Sequence, residues 1–436
     1  MFSSCVNEGE KKCKMKIKKT TSFLKSLLII LILSIWGCHP KNGKEINSKK
    51  QTDNQILQNS QFLTIDFPEI LKQKREVTIS EIAGSVDYIY LEKTPKSLIG
   101  SILDAYITKE FIFIQHNGSR LLTQFSRDGK FLRKIGSEGR GPKEYALMRL
   151  FSIDERNELI YIHTNWTRKI LVYSFNGEYV KTIKFEGIGR GYITWSRDSL
   201  FVGFSEPHVG NESYVFLETD SHGDTIQGVK NHIFWNSNES SSFMVSYWGR
   251  NSFYRAGEKL HMKGWYNDTV YTYDAENKII SKFFIDLKIH KLPADQIPER
   301  KGSESNAVNC YWTGVNESSD YIFIRYGSHW SQKSTNEEQG CMFVNKKTGA
   351  GTALTNKGED YGFVNDLDAG PDFKPEYSND TMAYSFVTAM DFKMYLDSDN
   401  FQNRSAKFPD QKEKHRQLNK TLKEDDNHIL VIANLK

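Results

Sequence analysis

Three carboxylates crowd a glycine turn in 365-NDLDAGPD-372. Asp366, Asp368 and Asp372 are of the type and spacing that could gather oxygen ligands around Ca²⁺, whose sites combine carboxylates with a sharp turn. The plainer alternative is that they form turns at the end of a sheet. A second candidate is 136-GSEGRGP-142, since glycine-rich loops can cradle phosphate. A phosphate loop should continue into Lys-Ser/Thr and a helix, and neither follows here. A third candidate is aromatic. Trp235, Trp248 and Trp330 lie in two long segments, 231–266 and 301–340, and amphipathic rings suit sugar or peptide faces. They could equally pack inward. No His-Glu-x-x-His, Gly-x-Ser-x-Gly or Cys-x-x-Cys is present, and none of the 11 histidines is spaced as a metal pair.

These residues must be positioned by strands. Phe and Tyr number 48 in 436 residues, a composition that favours β-structure. The run 111-FIFI-114 recurs as 159-LIYI-162, and the same offset of 48 carries Asp128-Gly129 to Asn176-Gly177. Asx-Gly between alternating apolar residues is a strong hairpin signal. Similar runs follow at 200-LFVGF-204, 260-LHMKGW-265, 321-YIFIRY-326 and 382-MAYSF-386, spaced 41, 60, 61 and 61 residues apart. Six units of this size predict an all-β fold, a six-bladed β-propeller of four-stranded antiparallel blades over residues 61–436. A strand from each chain end is expected to close the ring, using 428-HILVIANL-435 and either 61-QFLTIDF-67 or 87-DYIYLE-92. In this frame 136–145 joins the outer edge of one blade to the start of the next. Gly136, Gly139, Gly141 and Pro142 are expected to form a hinge with glycines at positive φ, and Tyr145 to wedge between blades.

Residues 1–37 read as a lipoprotein signal peptide. Lys16, Lys18, Lys19 and Lys25 precede the apolar run 27-LLIILILSIW-36, which ends at Gly37-Cys38. Met15 is an alternative start, and Cys38 the expected lipidation site. The leader holds seven lysines and two glutamates, so the chain's formal +4 becomes −1 beyond it. The basic balance therefore belongs to the signal and gives no argument for nucleic-acid binding, and no nucleic-acid partner is expected. Residues 38–60 are polar and aperiodic, a flexible tether reaching about 25 Å. Cys310 and Cys341 are left either to pair in an oxidising compartment or to remain buried thiols.

The motif 130-KFLRKIGSEGRGPKEY-145 resembles the inter-blade signature of NHL-type propellers. With 265-WYNDTVYTYD-274, 286-DLKIHKLP-293, 365-NDLDAGPDFKPEY-377 and 424-EDDNHILVIANLK-436, residues 78 to 436 resemble six-bladed propeller lipoproteins of Bacteroidetes. His428 replaces a usual proline, and Gln115-His116 stands where aspartate is common. His39 after Cys38, where an aspartate would retain a lipoprotein in the inner membrane, and the basic stretch 39-HPKNGKE-45 lead to the expectation of a monomeric outer-membrane lipoprotein facing the periplasm. Its expected role is a non-enzymatic binding or scaffold module for a glycan, peptide or envelope protein, without a cofactor. The alternative is a Ca²⁺-dependent, lactonase-like hydrolase or lyase at the central channel mouth.

Overall fold

In a computed structural model, the described residues are 62–436 apart from 117–118, 165–168, 186–190, 206–209, 236–251, 295–296, 298–309, 329–337 and 356–360. The signal, the tether, Cys38, Trp248 and Trp330 lie outside them.

Six antiparallel sheets follow one another along the chain. Blade I is Ile102–Ile107, Phe111–His116, Ser119–Ser126 and Phe131–Ile135; blade II is Met148–Asp154, Leu159–Thr164, Lys169–Ser174 and Tyr179–Lys184. Blade III is Gly191–Arg197, Leu200–Ser205, Tyr214–Thr219 and Thr225–Lys230. Blade IV is Phe253–Ala256, Lys259–Lys263, Thr269–Tyr273 and Ile279–Asp286; blade V is Tyr311–Glu317, Tyr321–Ser328, Gln339–Asn345 and Gly351–Leu354. Blade VI is Tyr377–Ser378, Met382–Val387, Ile429–Leu435 and, as its outer strand, Ala83–Tyr90. The six repeating runs form the second strand of every blade. They recur in sequence because both their faces are buried, as in Ile112, Phe113 and Ile114, each 0% exposed. Phe111–His116 is thus a second strand rather than an innermost one. His116 there accepts the Gly100 N–H on Nδ1 (3.2 Å), a task an aspartate oxygen could also perform.

Six apolar clusters hold the ring, each drawn from two adjacent blades. The last two blades meet through Phe323, Phe343, Ala383 and Val431. Blade VI closes on blade I through Leu430, Ile432, Ile112 and Phe125. Closure joins both chain ends, since Val431 pairs with Tyr88 and Leu430 with Ile89. The earlier segment takes another path. Leu63–Asp66 adds a parallel fifth strand outside blade IV, and Lys74–Arg75 does the same on blade V. Helix α1 (Phe67–Lys72) bridges them, capped by Asp66 accepting from the Glu69 N–H (3.1 Å), with Phe67 and Ile70 buried. The N-terminal stretch so covers two edges that would otherwise stay unpaired.

An insertion of α2 (Ala389–Leu396), α3 (Asp399–Asn403) and α4 (Pro409–Asn419) separates the second and third strands of blade VI. The disulfide alternative is overturned. Cys310 and Cys341 are not bonded to each other and lie buried in separate inter-blade clusters, III/IV and V/VI. Burial pushes the Cys341 thiol up to about 12.

Candidate functional site

The glycine segment needs three different physical accounts. Gly136 sits at φ +76°, and a Cβ there would lie 2.7 Å from Tyr145 Cε1 and 2.8 Å from the Tyr173 hydroxyl. Gly139 and Gly141 are not at positive φ, which corrects the expectation for them. Their constraint is the Glu144 side chain, whose Oε2 accepts the Gly141 N–H (2.9 Å) and would meet a Cβ on Gly139 at 1.9 Å. Pro142 is exposed. Tyr145 is 2% exposed between blades I and II; its hydroxyl donates to the Ile135 carbonyl (2.6 Å) and accepts the Leu122 N–H (3.1 Å). Gly136→Ala is therefore expected to cost about 2–3 kcal/mol, combining backbone strain with overpacking. Gly141→Ala, meeting only a flexible carboxylate end, should cost under about 1 kcal/mol. Urea unfolding of both variants reads the difference.

The three aspartates are tied into separate contacts. Asp366 accepts from Ser80 Oγ (2.6 Å) and pairs with Lys407 (2.8 Å). Asp368 Oδ1 accepts from Asn365 Nδ2 (2.8 Å), the Gly370 N–H (2.8 Å) and the Tyr88 hydroxyl (3.1 Å). Asp372 pairs with Arg404. Among the described residues no three His, Cys, Asp or Glu side chains come together as a metal site. Trp235 packs over Gly210, where a Cβ would meet its ring at 2.6 Å, and edge-on to Tyr266 (6.4 Å). The cleft beside it has a volume of only about 20 Å³.

The space lies on the axis instead. A cavity of about 410 Å³ is lined from all six blades: Asp104 and Tyr106, Phe151, Thr194, Tyr254 and Arg255, Asn316, then Tyr377 and Tyr384. Most of these residues belong to first strands, which approach one another between blades III and II, IV and V, and V and VI. Glu155, Gly257, Asp380 and Thr381 line its exposed end, at the turns between first and second strands. In antiparallel blades these turns share one face, and the strand ends flanking 236–251 and 329–337 share the other. The cavity mouth and the described strand ends that border 236–251 and 329–337 are thus on opposite faces.

The lining is rigid where it meets the blades. Arg255 stacks 4.6 Å over Trp195 and donates to the carbonyls of Trp195 (3.0 Å), Ser196 (2.9 Å) and Glu258 (3.1 Å). Tyr254 donates to Glu317, a fully buried carboxylate of blade V that also holds Lys282 (2.8 Å) and Lys346 (2.6 Å). Burial alone would raise the Glu317 carboxyl, but Lys282, His261 and Lys346 outweigh it and hold it at about 2. A parallel lock ties blades III and IV, where Glu218 accepts from Arg197 (2.7 Å) and Tyr273 (2.7 Å).

Among the described residues Asp104 has no such cation. Its Oδ1 accepts the Ala105 N–H (2.9 Å), Tyr377 and Tyr384 face it, and burial raises its carboxyl to about 7. Between about pH 4 and 7 the folded state therefore keeps a proton that the unfolded chain releases, so this group lowers stability as pH rises. Asp104→Asn is expected to raise the melting temperature at pH 8 and to leave it unchanged near pH 4. His116, His163 and His261, driven down to about 4, 3 and 4 by burial, work in the opposite direction. The difference between variant and parent cancels their contribution.

Residues 62–434 match the family described as "Domain of unknown function (DUF4934)". The chain belongs to the DUF4934 family. Among solved structures, this DUF4934 propeller is similar to a Bacteroides fragilis protein provisionally described as exported. The two share 16% identity and a TM-score of 0.61, over 86% of this chain and 99% of that one. It is also similar to a DUF4221 member from Bacteroides vulgatus, with 10% identity and a TM-score of 0.47, covering 81% and 97%. At these identities the likeness is one of fold. Comparison with curated protein sequences finds no match. Among the described residues, no helix is long and apolar enough to cross a membrane. Asp104, Tyr254, Asn316 and Tyr377 of the DUF4934 cavity were missed in the sequence. The available signal was an aspartate interrupting 102-ILDAYI-107, a strand otherwise apolar.

Proposed function

We propose that this DUF4934 propeller is a non-enzymatic binding module of the bacterial envelope, anchored through Cys38 in the outer membrane and facing the periplasm. It acts as a monomer and receives part of a glycan, peptide or protein partner in the axial cavity. The observation that carries this reading is the 410 Å³ volume walled by all six blades, within the range of small-ligand sites. The rings of Tyr254, Tyr377 and Phe151 supply flat faces for a sugar or side chain, and Asp104 and Asn316 supply polar contacts. Binding is favoured over hydrolysis or elimination because Arg255, the cation that could stabilise a developing oxyanion, is committed to three backbone carbonyls. The Ca²⁺ reading draws no support from Asp366, Asp368 and Asp372, whose oxygens serve protein partners.

Titration of the detergent-extracted mature chain with monosaccharides, disaccharides and dipeptides tests the reading. Tyr377→Ala is expected to weaken the best binder at least tenfold in a chain that, though less stable for the lost packing on Tyr384 and Phe386, still unfolds cooperatively. Unchanged affinity would remove the ligand from the cavity. Loss of palmitate labelling in Cys38→Ala, with protection from proteinase in intact cells, tests anchor and orientation.

A further inference from the structure

We infer that the axial cavity is selective for an organic cation, a primary ammonium or guanidinium group carried by the ligand. This inference rests on the cavity being the binding site and names the chemistry of what enters it.

Among the described lining residues, the charged group left inside without a counter-ion is an acceptor. Asp104 uses Oδ1 on a backbone N–H, and no described lysine, arginine or histidine pairs with its carboxylate. Asn316, 5% exposed, spends Nδ2 on the Glu376 carbonyl, so its amide oxygen is the end available to a ligand. Thr194, from blade III, is 3% exposed. The sole cation among the lining residues is Arg255, three of whose five N–H donors go to backbone carbonyls while its plane stacks on Trp195. An anion entering here would meet one guanidinium held largely by the backbone, whereas an ammonium would find a carboxylate and neutral oxygens.

The walls agree with this. Tyr377 and Tyr384 stack at 5.2 Å and 17°, forming a stiff π-surface beside Asp104, and Tyr254 faces the same space. Aromatic faces attract cations most where water is displaced. The approach is acidic too. On the turns between first and second strands, Glu110, Glu155, Glu158, Asp198, Glu258 and Asp380 outweigh Lys109 and Arg156. Arg156 is itself paired with Glu258 (3.5 Å). A low-dielectric cleft rimmed by one sign of charge concentrates the opposite sign at its mouth.

Calorimetric titration of the mature chain with two matched pairs tests the inference: glucosamine against glucose, and Nα-acetyl-lysine amide against Nα-acetyl-norleucine amide. The charged member of at least one pair is expected to bind tenfold or more tightly, with affinity falling in 0.5 M salt. Asp104→Asn should reduce amine binding at least tenfold and leave the neutral analogue unaffected. If that variant unfolds, Asp380→Asn at the mouth should still weaken amine binding several-fold and flatten its salt dependence. Equal binding within both pairs, or tighter binding of the neutral members, overturns the cation inference and leaves the cavity as a binding site. No binding by any of the four to the folded chain overturns both.

Discussion

Glu317→Ala is expected to lower the stability of the propeller by about 3 kcal/mol, through the loss of a buried partner shared by two cations. Glu317 is 0% exposed and ties Lys282 of blade IV to Lys346 of blade V, while Tyr254 donates to it from the axis. Removing it leaves two ammonium groups at a blade interface and a phenol without an acceptor. Both lysine side chains retain about a quarter of their exposure. They can therefore partly recover water, which places the effect at the lower end of the range for broken buried pairs. Glu317→Gln keeps an acceptor for Tyr254 and so isolates the charge. It should cost less than the alanine variant yet still move the urea midpoint. A loss below about 1 kcal/mol for alanine would mean that the lysines are held by other groups.

Deleting residues 428–436 should have a larger effect and yield no soluble folded monomer. The segment is the third strand of blade VI, between Met382–Val387 and the N-terminal Ala83–Tyr90. Ile429, Leu430 and Ile432 are each at most 1% exposed, and each such side chain contributes about 1.5–3 kcal/mol on burial. That sum, with two ladders of backbone hydrogen bonds, approaches the entire stability of an ordinary domain, about 5–15 kcal/mol. The N-terminal strand would lose its neighbour, and two strand edges would be exposed. A truncated chain that remains monomeric with an unchanged circular dichroism spectrum would show that the ring does not depend on this closure.

What was legible in the sequence follows from burial. The second strands repeat because they are apolar on both faces, so 111-FIFI-114 and 321-YIFIRY-326 announce themselves. First strands face an axis with room for polar groups, so their patterns diverge. Tyr377–Ser378 is only two residues long, and Asp104 breaks an apolar run. The cavity was illegible for that reason, since it depends on six weak strands converging. Trp235 runs in the opposite direction. Trp235 carries a large ring in a polar stretch and reads as a binding residue, yet it fills the space over Gly210. The aspartates of 365-NDLDAGPD-372 also read as a ligand set, but Ser80, Lys407 and Tyr88 reach them from distant positions in the chain. Gly136 and Gly139 look alike in sequence. Their difference, positive φ against a nearby Glu144 carboxylate, is set by the three-dimensional path.

The most direct test of the axial site is to fill it. Thr194→Phe places a ring in the cavity from the wall of blade III, whereas Trp248→Ala and Trp330→Ala remove the two tryptophans that the sequence offers as binding residues. Affinity for the tightest-binding member of the sugar and dipeptide panel, measured beside the melting temperature of each variant, separates the two locations. Thr194→Phe is expected to abolish binding in a chain that still melts cooperatively, while both tryptophan variants bind as the parent does. Retained binding in folded Thr194→Phe, with loss in either tryptophan variant, would contradict the axial site and place the ligand in the long segments.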